Sequence, residues 1–337
     1  MNLEDKINIV KDILKDKKVA IGFSGGADST LIAYLASKVS KDVLAITIDN
    51  HLFPENFLKH TKDMTSEFGV KHHIIDINFY ENEEFLKNLK SRCHSCRNLM
   101  YEKIKRYALE NGFDYICDGN NISDLVADRP GILITYGMEF NTPLIEAKLT
   151  SKEIHEYLEK NNIPYSRSTT CLATRIPTNT KITKDKIEKI KKSEKILSKI
   201  SGCELVKVRD FNKVSVCEIN NFSKIINNNS FNELNNQLKL VGYEKVCLNL
   251  SPLDDNEEII LQYKSNQFQY QLPFTIDIEN TKKHLKKNII HEKNQNRLKL
   301  EKIIINRNGL IDGYDLKNYD DALFEFMNVL PKIRRNV

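Results

Sequence analysis

The stretch Lys18-Val19-Ala20-Ile21-Gly22-Phe23-Ser24-Gly25-Gly26-Ala27-Asp28-Ser29 decides how this 337-residue chain is read. A short apolar run of β type, Lys18 to Phe23, ends in Ser-Gly-Gly and passes directly into a helical pattern, Ser29 to Ser40. Two glycines let the backbone turn tightly and expose successive N–H groups. The following helix adds the positive end of its dipole, so the junction suits an anion. The Gly-Lys-Ser/Thr pair of a Walker A loop is absent, and so is the G-x-G-x-x-G of a dinucleotide-binding fold. Ser-Gly-Gly also occurs in plain turns; its place between strand and helix is what favours phosphate.

Outward from this loop the first 150 residues alternate β-type and helical runs. Val43 to Ile48, His72 to Ile77 and Phe113 to Cys117 read as further strands, and Glu55 to Phe68 and Arg97 to Glu110 as helices. Such alternation with continuous apolar strands predicts an α/β fold, a doubly wound parallel sheet with helices on both faces. Ligands of these sheets lie beyond the carboxyl ends of the strands. Thr150 and Glu153 form a capping-box pattern that opens a helix running to about Lys160. A lysine-rich helix over 183–200 follows, ending near Gly202 and reading as a connector. Beyond it, Leu205 to Arg209 and Val214 to Ile219 predict a hairpin, Phe222 to Leu240 a helix and Lys245 to Leu250 a strand, together a smaller α+β domain. The tail has strand-like pieces at 258–264 and 267–275, a polar helix near 278–299 and a last helix at about 319–330. The expected domains are therefore 1–180, the connecting helix 181–202, the small α+β domain 203–255, and a C-terminal extension 256–337 of unknown role.

Composition narrows the class. Hydrophobic residues make up 40% and charged residues 29%, an ordinary soluble mixture. Nearly apolar runs such as Val43 to Ile48 fall far short of the roughly 20 residues that a bilayer span needs. The charged N-terminus carries no signal pattern, so a cytoplasmic protein with reduced thiols is expected. The net charge is +5, and residues 181–200 alone hold eight lysines against three acidic residues, which accounts for the whole excess. One basic helix is more often a solvated face than a nucleic-acid footprint.

The pattern S-G-G-x-D-S resembles the PP-loop of the ATP pyrophosphatase superfamily. The resemblance implies that ATP is cleaved to AMP and pyrophosphate, with Ser24, Gly25, Gly26 and Ser29 holding the phosphates and Asp28 helping to position Mg²⁺. By position, Thr47 at the end of the second strand would line the adenine and ribose site.

Cys93-His94-Ser95-Cys96 is a C-x-x-C, which by itself fits half a zinc site, a redox pair or chance. No second C-x-x-C or H-x-x-x-H exists to complete a zinc site, and the thioredoxin context is missing. Cys171 lies 75 positions after Cys96, where it could fold back over the active-site edge. Three thiolates can bind a [4Fe-4S] cluster and leave one iron open, and an open iron can carry a sulfide. That chemistry belongs beside an adenylating site, where an activated carbon needs a sulfur nucleophile. Cys117, Cys203, Cys217 and Cys247 stand in strand-like apolar contexts and read as small buried residues.

Several features together resemble the LarE family of sulfur transferases, which serve the nickel-pincer cofactor of lactate racemase. They are the S-G-G-x-D-S loop, Asp118-Gly119, Asp128-Arg129-Pro130-Gly131, Pro143-Leu144-Ile145-Glu146-Ala147, Cys171 with Arg175-Ile176-Pro177, and Val206-Lys207-Val208-Arg209. The likeness covers about residues 1–250. It implies that a pyridinium-3,5-biscarboxylate mononucleotide is adenylated and its AMP replaced by sulfur. Some members sacrifice the sulfur of one cysteine, matched here by Cys171; others use three cysteines and a [4Fe-4S] cluster, and this chain has all three, Cys93, Cys96 and Cys171. Cys171 and Asp28 are then the expected catalytic residues, and Arg129, Arg175 and Arg209 the expected contacts to phosphate or carboxylate, which suit bidentate guanidinium. Each of these arginines could equally be a structural ion pair, and Lys207 stands where some members have arginine. The expected partners are a small-molecule nucleotide substrate, a sulfide donor and further copies of the chain as a homo-oligomer, with no membrane and no nucleic acid.

Two other functions fit parts of the pattern. A tRNA-thiolating PP-loop enzyme also uses a C-x-x-C and a distant third cysteine, but its polyanionic substrate favours a broad basic surface. A non-catalytic nucleotide or cluster sensor has no need of the intact Asp28 and Ser29. An amide-forming synthetase of the same superfamily would leave the three cysteines without a role.

Overall fold

The computed structural model describes every residue except 55, 128–130, 167–169, 228–229, 254–258, 286–290, 295 and 337. Its first unit runs α1 (Leu3–Leu14), β1 (Lys18–Gly22), α2 (Ala27–Val39), β2 (Asp42–Asp49), α3 (Phe57–Glu67), β3 (Lys71–Asp76), α4 (Glu83–Leu86), α5 (Arg92–Glu110), β4 (Tyr115–Cys117), α6 (Ile122–Val126), α7 (Ile132–Gly137), α8 (Pro143–Glu146) and α9 (Ser151–Lys160). The four strands form a sheet in the order β3-β2-β1-β4. All its pairings are parallel, with Ile21 of β1 set against Ala45 on one side and Cys117 on the other.

Alternation along the strands divides the core between two faces. Val19, Ile21, Val43 and Ala45 join Ile7, Val10, Leu31, Leu35, Ile154 and Leu158 from α1, α2 and α9. Ala20, Leu44, Ile46 and Ile48 face the other way, onto Tyr101, Ile104 and Ala108 of α5. The doubly wound α/β sheet is therefore present. The sequence reading assigns no element to residues 3–14. There Asn2 and Asp5 build a capping box, and Ile7, Val10 and Leu14 are fully buried, each worth roughly 1.5–3 kcal/mol. Helix α5 starts at Arg92, five residues before the expected Arg97. Cys93 and Cys96 thus lie in its first turns and not in a loop.

Helix α10 (Lys184–Ser201) is capped by the Thr183 side chain and ends at Gly202, whose φ of 63° is left-handed. Its buried positions recur every three or four residues and bridge two cores. Ile187 and Ile190 pack with Leu172 and Ile176, whereas Leu197 packs with Val208, Leu234 and Leu238. The second unit contains β5 (Val206–Phe211), β6 (Val214–Ile219), α11 (Ser223–Asn227), α12 (Phe231–Val241) and β7 (Lys245–Leu248). β5 and β6 form the antiparallel hairpin, and β7 runs parallel to β6. The single helix expected over Phe222 to Leu240 is two helices.

The extension departs most from expectation. It comprises β8 (Gln262–Lys264), β9 (Gln267–Gln271), α13 (Ile278–Leu285), β10 (His291–Asn294), β11 (Arg297–Lys299), β12 (Ile303–Asn306), β13 (Leu310–Gly313) and α14 (Tyr319–Val329). Its six strands make an antiparallel sheet in the order β10-β11-β12-β13-β9-β8. The polar helix expected over 278–299 stops at Leu285, and β10 and β11 follow. Leu298 and Leu300 bury at period two, which is a strand's spacing, and polar neighbours hide it in the sequence. The sheet, through Leu298, Ile305 and Ile311, and α14, through Phe326, share a core with Ile122, Leu125, Val126 and Ile132 of the first unit. Among the described residues, no helix is long and apolar enough to cross a membrane.

Candidate active site

The loop after β1 is built as an anion cradle. Gly25 has φ 71°, and a Cβ there would stand 3.2 Å from Met64 Cε and 3.3 Å from Thr61 Cγ2. Both the backbone conformation and the space therefore call for glycine. Gly26 is the N-cap of α2, and no side chain caps this helix. Its first N–H groups and the positive dipole end thus remain available to an anion. The Ser24 and Ser29 hydroxyls lie 3.3 Å apart, Ser29 Oγ donates to Gly26 O, and Gly26 N donates to Ser24 Oγ. Asp28 stands in the first turn, where its Oδ1 accepts a 2.9 Å hydrogen bond from Asn121 Nδ2. Ser166 N donates to Gly25 O at 2.8 Å and ties the segment after α9 to the loop.

Thr47 sits beneath this cradle. It is fully buried in β2, and its hydroxyl donates to Phe23 O at 2.8 Å. With that hydrogen committed, the oxygen accepts from His72 Nε2, also at 2.8 Å. Burial, with help from Lys62 and His73, lowers the His72 pKa to about 4, so the ring is neutral and carries its proton on Nε2. Thr47 thus braces the residue before Ser24, and the sequence reading does not foresee His72. Also unforeseen is a buried network at the end of β4. Tyr101 OH donates to Asp118 Oδ2 at 2.7 Å, and Arg97 Nη2 reaches Asp118, Asn120 and Thr135 at 3.0–3.2 Å. Burial opposes the Arg97 charge, but Tyr101 and Asp118 outweigh it and raise its pKa. Hydrogen bonds therefore run from the cysteine-bearing helix α5, through Arg97 and Asp118, to Asn120, and the next residue in the chain, Asn121, holds Asp28.

The structure places the three sequence-selected cysteines near enough to influence one another's charge, although their sulfurs do not all lie within 4.8 Å of one another. Cys93 is exposed, while Cys96 and Cys171 are partly buried and pack beside Leu172, Ile176 and Ile187. Burial pushes the Cys96 thiol up to about 12, the charges of Cys171 and Cys93 add to this, and Arg92 opposes it. Burial also raises Cys171; its backbone hydrogen bond to Ala173 and the Arg92 charge act the other way. Three mutually repelling thiolates are favoured only when a thiophilic group binds them. The spread of their sulfurs is too open for a single ion and leaves the larger iron–sulfur cluster as the group that the donor set fits. Of the other cysteines, Cys117, Cys203 and Cys217 are buried, as expected, and Cys247 is partly so.

Two of the three selected arginines converge on the Cys171 loop. Arg175 is buried, with Nε on Glu194 Oε1 at 2.7 Å and Nη1 on Thr170 Oγ1 at 2.8 Å. Arg209 donates through Nε to Glu218 at 2.9 Å and through Nη1 to Thr174 O at 3.3 Å. Arg129 lies outside the described residues. A cleft of about 1030 Å³ joins the two halves of the site: Phe57, Met64 and Ser166 line it beside the glycine loop, and Leu172, Arg175 and Glu194 line it beside Cys171.

An open parallel sheet whose first strand feeds an uncapped glycine loop carrying Asp28 and Ser29 defines a PP-loop nucleotide-binding protein. Residues 1–128 match the PP-loop domain family. An uncharacterised protein of Methanocaldococcus jannaschii is 31% identical over 245 residues, 72% of this chain and 93% of that relative. The pyridinium-3,5-bisthiocarboxylic acid mononucleotide synthase of Lactiplantibacillus plantarum is 25% identical over 70% of this chain and 87% of its own length. A probable sulfurtransferase of M. jannaschii is 27% identical over 47% of this chain. The chain belongs to the LarE-like family of ATP-using PP-loop proteins.

Proposed function

We propose that this protein is an AMP-forming sulfur transferase that converts carboxylates of a pyridinium-3,5-biscarboxylate mononucleotide into thiocarboxylates. In this reading ATP lies along Ser24, Gly25, Gly26 and Ser29, and Asp28 holds Mg²⁺ against its phosphates. A substrate carboxylate oxygen attacks the α-phosphorus and pyrophosphate leaves. A sulfur nucleophile then adds to the acyl carbon, and the carbon–oxygen bond to AMP breaks as the carbon–sulfur bond forms. The backbone N–H groups at the start of α2 stabilise negative charge that builds on the phosphates.

The observation that carries the reading is the approach of Cys93, Cys96 and Cys171, from two distant segments, beside Leu172, which itself lines the cleft that begins near the glycine loop. These three thiols would hold a [4Fe-4S] cluster. Three protein ligands leave one iron with an open position, which is what such a cluster supplies to sulfur chemistry. Arg175 lines the cleft and Arg209 donates to Thr174 O next to it, and in this reading both would orient anionic groups of the substrate. The working form in this reading is a cytoplasmic homo-oligomer fed by a sulfide donor.

The test joins two measurements on anaerobically purified protein: iron and sulfide content, and pyrophosphate release with the biscarboxylate mononucleotide. Close to four irons per chain and substrate-dependent release are expected. Asp28→Asn should fold normally and lower that release at least about a hundredfold, because the metal-bound phosphates lose an anionic ligand. Release at the wild-type rate in Asp28→Asn would remove the adenylating role of the loop. Release that depends on tRNA and not on the nucleotide would reassign the substrate class.

A further inference from the structure

Asn88 and Arg92 occupy the turn that leads into the C-x-x-C helix, and neither is used by the chemistry above. Asn88 is almost fully buried and holds a left-handed φ of 57°. Its Nδ2 donates at 2.9 Å to both Pro177 O and Thr180 O, and its backbone carbonyl accepts from Asn179 N at 2.9 Å. Its Oδ1 accepts from Arg92 Nη1. Arg92 Nη1 also donates to Ala173 O at 3.1 Å, and Nη2 lies 3.5 Å from Cys93 Sγ. Ile182 N adds a 2.9 Å hydrogen bond to Leu86 O just upstream.

One amide and one guanidinium therefore tie three carbonyls after Cys171 to the turn before Cys93. A planar fork suits Arg92 for this, because it can reach a carbonyl, an amide oxygen and a sulfur at once. The Arg92 charge acts on both Cys96 and Cys171, and Arg175 acts on Cys171 as well. Hydrogen bonds and charge at the sulfurs are among the factors that set the properties of an iron–sulfur site.

We propose that Asn88 and Arg92 form a clasp that docks the Cys171 loop onto the C-x-x-C helix before any cluster binds, and that Arg92 is a positioning residue for the three-thiol site. The inference rests on the cluster reading only for its second half. The docking itself is a property of the apoprotein.

The experiment compares wild type, Asn88→Ala, Arg92→Gln and Arg92→Lys. Amide hydrogen exchange is followed in the apoprotein, and iron retention is followed after anaerobic reconstitution. Exchange across residues 172–182 should rise about tenfold or more in Asn88→Ala and Arg92→Gln, with β1 and β2 unchanged, as expected for loss of buried or charge-assisted hydrogen bonds. Iron retained per chain should fall in Arg92→Gln, which loses the charge. Arg92→Lys should recover iron retention, since it keeps the charge, while exchange stays high because the fork is lost. Unchanged exchange at 172–182, or a uniform rise that includes β1 and β2, would overturn the clasp. Full iron retention in Arg92→Gln, or failure of Arg92→Lys to recover it, would overturn the positioning role of its charge. A wild-type chain that binds no iron would sink the cluster reading, while the exchange data would still decide the docking.

Discussion

His72 shows how one side chain links the loop to the stability of the sheet. Its pKa falls to about 4, chiefly through burial, against an ordinary value of 6.5. Below pH 6.5 the unfolded chain takes up a proton that the folded ring resists until about pH 4. Stability is therefore lost as pH falls through that window and is fully present above it. After allowance for the ring's partial exposure, the contribution is about 1–2 kcal/mol. His72→Gln keeps a donor for Thr47 and removes the titration. Urea unfolding at pH 7 and pH 4.5 should show the wild type losing about 1–2 kcal/mol more than the variant. Equal losses would mean that the Thr47–His72 contact does not survive in solution. Nothing in the isolated sequence marks His72, because its role depends on Thr47, 25 positions earlier and one strand away. The contiguous Ser24 to Ser29 loop is different. Its turn chemistry is local, and it could be read directly.

At the scale of elements, the junction between β4 and α2 controls the loop. A Cβ on Gly119 would stand 2.9 Å from both Asp28 Cβ and Ser29 N. Ser29 N is backbone and cannot give way as a flexible side-chain tip could. Gly119→Ala should therefore push the first turn of α2 away from β4 and cost about 1–3 kcal/mol of stability. The expected loss of pyrophosphate release is larger, about a hundredfold, because a small displacement of the phosphate-binding turn spoils its alignment. Gly22→Ala is the control: a Cβ there meets Ile104 Cδ1 only at 3.6 Å, so stability and activity should change little. Equal activity in the two variants would show that the close approach at Gly119 does not position the loop. Elements of this first unit were legible because its strands are continuous apolar runs with helical periods between them. Helix α5 was legible only in part. The C-x-x-C hid its first turns, and the clasp that explains why those turns form there joins residues more than eighty positions apart.

The extension belongs to the energetics of the whole molecule, even though no chemistry is assigned to it. More than a quarter of the chain lies outside the match to the M. jannaschii relative. Polar composition masks the strands here: the alternation Leu298, Leu300 is brief, and β12 and β13 are each only four residues long. What organises the region is non-local. Phe326 of α14 is 1% exposed and fits against Gly313, where a Cβ would come within 2.8 Å of the ring. The same core includes Ile122, Leu125 and Val126 of α6 and Ile132 of α7. Helix α6 follows directly on Asn121, the partner of Asp28, so the extension buttresses the wall of the site from behind. Phe326→Ala should cost about 3–5 kcal/mol in the extension through the cavity it leaves. Because α6 and α7 share that core, their amides should exchange faster together with β11 to β13, whereas α1, α2 and α9, which pack in a separate cluster, should keep their protection. Pyrophosphate release should weaken in step with α6 exchange as temperature is raised. Faster exchange confined to the extension, with α6 and α7 fully protected, would mean that the added sheet is a passenger and that the first unit supports its site unaided.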